Sequence, residues 1–172
     1  MPISPSFHAC LTLELTPTQS TLGIYNFGNI TTGDGNDTIT GSGDMSRIND
    51  RGGSQFIYRA GIYNEGTINT GNGADSIVTD GGFEIPNGRG SVFLENGKDY
   101  VKGFGRGIFN GGNGQDTLEL TSGSYIVGRS DTTVNFTQGS SIMITSELEK
   151  LIADTTIYDF SSLTSGQTIV VA

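Results

Sequence analysis

A nine-residue phrase recurs along this chain with its turn-forming and oxygen-bearing positions retained. It reads TGDGNDTIT at 32–40, TGNGADSIV at 70–78, LENGKDYVK at 94–102 and GGNGQDTLE at 111–119. Each copy keeps Gly, any residue, Asp, any residue, then an aliphatic residue. Glycine admits backbone angles that side chains obstruct. Aspartate supplies a hard oxygen, and the aliphatic residue needs burial. Nine residues accommodate a turn of about six and a strand of about three, so two units predict a coil of about eighteen with parallel strands ~4.8 Å apart.

The spacing supports such a coil. GIYNFGNITTGDGNDTIT from position 23 returns as GIYNEGTINTGNGADSIV from 61, and in shortened form as GIFNGGNGQDTLE from 107. A structural unit has been duplicated. Aligned on the aliphatic position, the chain offers a ladder of Ile30, Ile39, Ile48, Ile57, Ile68, Ile77, Ile85, Val92, Val101, Ile108 and Leu118, mostly nine residues apart. Each rung can bury its apolar face only against its neighbours. The weaker copies at 41–49 and 50–58 carry Ser46 and Gln55 where Asp is expected, which predicts structural rungs without a ligand.

The ends differ from the repeats. Leu11, Leu13 and Leu15 alternate with polar residues, so 1–22 is expected to form an N-terminal cap strand over the first rung. Residues 121–172 lose the Gly–Asp turns. There SYIV, TTVNF and SIMIT read as strands, and the region as a C-terminal β-rich cap. SELEKLIAD suits either a short helix, with Ser146 and Glu149 at capping-box spacing, or a further strand around Leu148 and Leu151.

Gly accounts for 27 of 172 residues, well over twice the usual ~7%. Such a composition suggests disorder, against which stands the regular aliphatic spacing. The formal charge is −9, which disfavours nucleic acid and anionic membranes, since phosphate binding needs clustered Lys and Arg, and favours cations. Cys10 is the only cysteine and reads as a small apolar filler. No stretch is apolar and long enough to cross a membrane. No basic region followed by an apolar core opens the chain, so a cleaved secretory signal is not expected.

The repeated phrase resembles the G-G-x-G-x-D-x-U-x nonapeptide of RTX (hemolysin-type) calcium-binding proteins. GIxNxG followed by the nonapeptide is similar to cyanobacterial members of that family. The resemblance covers about 23–120 and implies a right-handed parallel β-roll or β-solenoid with calcium as cofactor. Calcium takes six to eight oxygens, so adjacent turns would share each ion. The implied ligands are Asp37, Asp75, Asp99 and Asp116, with carbonyls around Gly33, Gly35, Gly71, Gly73, Gly97, Gly112 and Gly114. At 94–102 the pattern departs, with Glu95 in place of a glycine. If turns alternate between two edges, Asp37 and Asp75 fall on one edge and Asp99 and Asp116 on the other. On the order of one to three ions is then expected. The resemblance further implies a secreted, extracellular bacterial protein, exported in one step without a cleaved signal peptide. The terminal TIVVA suits either such an export tail or a last strand.

Catalysis is not expected. His8 is the only histidine, which excludes H-E-x-x-H, and no G-x-S-x-G elbow is present. Glu84 and Asp80 suggest only a weak carboxylate pair. A structural, surface-layer or adhesive role leads. Self-stacking into a filament, or binding a cell-surface glycan or polysaccharide through a row of Tyr25, Tyr63 and Phe109, are the alternatives. Either the row is a carbohydrate platform, or it is a stacked core or surface ladder.

Overall fold

The computed structural model describes residues 23–42, 46–49, 55–58, 61–80, 83–84 and 90–172. The expected N-terminal cap strand and Ile85 lie outside the described residues. The chain is all-β. Among the described residues there is no α-helix, and only a short 3-10 turn at Phe160–Ser162.

The chain passes repeatedly over itself. The first pass holds β1 (Ile24–Asn26), β2 (Asn29–Thr31) and β3 (Thr38–Gly41). Two strands then leave the pattern, β4 (Ser46–Asn49) and β5 (Gln55–Tyr58). The second pass holds β6 (Ile62–Asn64), β7 (Thr67–Asn69), β8 (Asn72–Gly73) and β9 (Ser76–Thr79). The third holds β10 (Phe83–Glu84), β11 (Ser91–Phe93), β12 (Asn96–Gly97) and β13 (Tyr100–Lys102). The fourth holds β14 (Gly107–Asn110), β15 (Asn113–Gly114) and β16 (Thr117–Glu119). After a hairpin of β17 (Gly123–Ser130) and β18 (Thr133–Gln138), a fifth pass adds β19 (Ser141–Ser146) and β20 (Lys150–Ala153). Strands β21 (Thr156–Asp159) and β22 (Thr168–Val171) finish the chain.

Passes join through parallel ladders in strict register. Ile30, Ile68, Val92, Phe109 and Thr145 form one column. Ile39, Ile77, Val101, Leu118 and Leu151 form the second. The nine-residue step therefore runs within a pass, from the first column to the second across the Asp turn. Alternation inside each three-residue strand sends the middle side chain inward, and Ile68, Ile77, Val92 and Leu118 are fully buried. Each such side chain contributes about 1.5–3 kcal/mol by leaving water.

Three expectations are corrected. First, β4 and β5 pair with each other antiparallel, Ile48 opposite Phe56 and Ile57 opposite Arg47, so neither strand adds a rung to the parallel stack. Without the Gly–Asp turn nothing returns these two strands to the stack, and they pair with each other. Second, Ile108 is not the inward rung. It is 41% exposed, and Phe109 takes the column. Third, Phe109 does not join a row with Tyr63. Tyr25 and Tyr63 are in register, but Phe109 pairs with Val92 in the other ladder. The shortened phrase GIFNGGNGQ dropped the segment equivalent to the first strand, so its aromatic moved one column along. Phe109 and Tyr63 are both buried.

Residues 121–172 use antiparallel pairing. β17 lies between β18 and β22, β18 pairs with β19, and β21 folds back on β20. Lys150–Ala153 is a strand parallel to β16, not a helix, because Leu151 continues the second apolar column. TIVVA supplies β22. Phe104 packs edge-on to Tyr125 at 4.8 Å, and Phe136 to Phe160 at 5.9 Å.

Candidate functional site

The repeated turn links the two apolar columns, and its stacked copies make one continuous edge of the protein. At its second position stand Gly33, Gly71, Glu95 and Gly112, with φ of 100°, 91°, 71° and 86°. All four are left-handed, so Glu95 holds a conformation that costs a residue with a side chain about 1–2 kcal/mol. At its fourth position stand Gly35, Gly73, Gly97 and Gly114. Here the need for glycine is steric. A Cβ on Gly73, Gly97 or Gly114 would lie 1.6–1.7 Å from the carbonyl oxygen of the glycine in the preceding pass. The backbones stack too closely for any side chain.

The third position carries a ladder that sequence reasoning missed. Asn72 donates to Asp34 at 2.6 Å, Asn96 to Asn72 at 2.7 Å and Asn113 to Asn96 at 2.9 Å. Its signal was present, since Asp or Asn recurs at that position in all four copies. A second such pair, Asn26 donating to Asn64 at 2.8 Å, joins the turns that follow β1 and β6 in the first two passes.

The sixth position brings the four predicted aspartates together. They form a single file on one edge, and the expected division between two edges is wrong. The backbone N–H of Asp37 donates to Oδ1 of Asp75 at 2.8 Å, that of Asp75 to Asp99 at 2.7 Å, and that of Asp99 to Asp116 at 2.9 Å. Successive members are 38, 24 and 17 residues apart in sequence. Unequal lengths are absorbed elsewhere in each pass, so every Asp turn returns to the same side.

The file continues beyond the repeats. The N–H of Asp116 donates to Oε2 of Glu149 at 2.6 Å, so Glu149 takes the place of the next aspartate. No Gly–Asp turn motif marks Glu149, whose capping-box spacing from Ser146 pointed to a helix, and only the register of β20 on β16 brings it there.

Asp75, Asp99 and Asp116 thus each spend Oδ1 on a backbone bond. Among the described residues, the Oδ2 of Asp37, Asp75, Asp99 and Asp116 is buried without a hydrogen-bond partner. All four residues are at most 4% exposed. Burial, opposed by the backbone bond and aided by neighbouring carboxylates, raises the Asp75 and Asp99 carboxyls above the usual range. Burial pushes Asp116 up to about 6, with the charges of Asp99 and Glu149 adding to it. A buried row of like charges is unfavourable unless protons or a cation neutralise it.

The donor set fits a hard cation, being wholly oxygen with one oxygen of each carboxylate unspent. Among the described residues no group of three or more His, Cys, Asp or Glu side chains is placed to hold a metal, so main-chain carbonyls would have to complete any site. Some of these already work in the ladders, Gly71 accepting from Asn96 and Gly97 from Gln115, both at 3.2 Å. A carbonyl oxygen retains a second lone pair for another partner.

Comparison with protein-family models, with curated proteins and with solved structures returned no match. Among the described residues no helix is long and apolar enough to cross a membrane.

Proposed function

We propose that this chain is a calcium-stabilised right-handed β-solenoid of the RTX type, acting outside the cell as a structural, surface-layer or adhesive module. One observation carries the reading: the buried file of Asp37, Asp75, Asp99 and Asp116, each with an Oδ2 left without a hydrogen bond among the described residues. Neighbouring oxygens of that row would hold each ion between adjacent turns, and glycine carbonyls of the same turns would add to them. When bound, calcium supplies the positive charge that the file lacks and cross-links neighbouring passes.

The protein's own contribution is preorganisation. The Oδ1 bonds fix the Asp75, Asp99 and Asp116 carboxylates, the glycines let adjacent backbones close together, and the Asn ladder holds the turns in register. Such a site makes metal binding a part of folding free energy. The chain would be loose where calcium is scarce and rigid at millimolar calcium, as expected for a protein exported before it folds.

The test is a calcium titration of the metal-free chain, read by circular dichroism and by native mass spectrometry. Ion uptake with a large rise in melting temperature is expected. An identical melt in chelator and in calcium, with no bound ion, would falsify the reading. In that case the file is neutralised by protons.

A further inference from the structure

The eight-stranded sheet presents its outer face as an uncharged surface. The order runs β2, β7, β11, β14, β19, β18, β17, β22. Every outward position along these strands, from Asn29 to Val170, is Asn, Ser, Thr, Gly, Val, Ile or Phe. The chain as a whole carries 18 acidic and nine basic residues, so a face without one charge is a strong departure. Of the seven large apolar side chains left exposed among the described residues, five lie here: Ile108, Ile126, Ile142, Ile144 and Val170. Register brings them together. Ile108 lies beside Ile144, and Ile142 and Ile126 flank Thr137 in the next row. Charged groups border the face at both strand ends: Glu95 and Glu147 accept from Asn69 and Asn110 at one, while Glu65, just before β7, and Arg106, just before β14, stand at the other. An apolar centre with a polar rim is the anatomy of a protein interface.

We infer that this face pairs with the same face of a second copy of the chain. Two molecules of charge −9 repel, and most approaches bring acidic groups together. A two-fold contact sets one patch against itself, and an uncharged aliphatic and hydroxyl patch is self-complementary. Two such sheets pack face to face about 10 Å apart. Eight strands at ~4.8 Å and three or more residues each offer on the order of 500 Å² in plan. That is below the ~800 Å² per partner of a standard stable interface, so the dimer should be reversible, with a dissociation constant on the order of micromolar.

Sedimentation velocity over a concentration series, in calcium and in chelator, tests this. The wild-type chain should pass from monomer to dimer. Ile142→Lys and Thr137→Lys, each checked for an unchanged circular dichroism spectrum, should weaken association at least ~10-fold, about 1.4 kcal/mol. Ile157→Lys removes a side chain that is 67% exposed on β21, outside this sheet, and should leave association unchanged. A wild-type chain that stays monomeric overturns the proposal, including one that instead binds a neutral polysaccharide. So does a dimer that survives both face variants. Neither result depends on whether the aspartate file takes up calcium.

Discussion

The repeat region from 23 to 120 and the C-terminal region from 121 to 172 build the same apolar columns by different means. In the repeats the columns are narrow, with one aliphatic side chain per short strand, and the turns carry much of the order through stacked glycines, an Asn ladder and a carboxylate file. In the C-terminal region the strands lengthen to as many as eight residues, pair antiparallel, and enclose Tyr125, Phe136, Met143 and Phe160. The first arrangement keeps buried like charges that need neutralising, while in the second the buried side-chain atom left without a hydrogen bond among the described residues is the uncharged amide oxygen of Asn135. Solution conditions should therefore govern the repeats far more than the cap.

The contrast is sharpest at glycine. Gly97→Ala places a Cβ 1.6 Å from the Gly73 oxygen, and backbone cannot yield there. A loss on the order of 4–5 kcal/mol, measured by urea melts in calcium, is expected. Gly139 in the C-terminal hairpin has φ of 59° and open space around it, so Gly139→Asn should cost under ~1 kcal/mol. Equal costs would break the comparison. Phe136→Ala should cost about 3–4 kcal/mol, by the same amount with and without calcium.

Asp99→Asn probes the file itself. It keeps an oxygen for the Asp75 N–H and removes one charge. It should lower the calcium-induced gain in melting temperature by roughly half, about 5 °C, while leaving the chelated protein as stable or more so. A variant that keeps the full calcium response would separate the file from the metal.

Acidity gives a smaller effect of opposite sign in the two states. Asp75, Asp99 and Asp116 bind protons more tightly folded than unfolded. In chelator their contribution is complete below the ordinary carboxylate range and fades as pH rises through about 6, the Asp116 value. Melting in chelator should thus rise by a few degrees (~3 °C) on going from neutral to mildly acidic buffer. In calcium, acid competes with the ion, and melting should fall. The smallest expected change is Glu95→Gly. Releasing its left-handed strain, offset by glycine's greater unfolded-state freedom, should stabilise by about 0.5–1 kcal/mol, seen as a slight shift in the urea midpoint.

Much of this was legible beforehand. The Gly and Asp positions, the all-β class, the strands at SYIV, TTVNF and SIMIT, and the inward-facing Ile39, Ile77, Val101 and Leu118 all follow from local pattern, because each residue's role is set by its own turn or strand. What failed was inference across turns. Equal spacing suggested alternating edges, yet the passes from Asp to Asp measure 38, 24 and 17 residues. Ile48 and Ile57 matched the period and still paired with strands outside the stack.

Locally, then, the amino-acid order determined which residues turn, which lie flat and which must be buried, since backbone sterics and side-chain polarity act within a few bonds. The tertiary structure alone decided which turns meet. It gathered four aspartates into one buried file, recruited Glu149 from beyond the repeats, and put five exposed aliphatic residues on one uncharged face. Those outcomes depend on register between strands far apart in sequence, and register is settled by the summed fit of whole passes against one another.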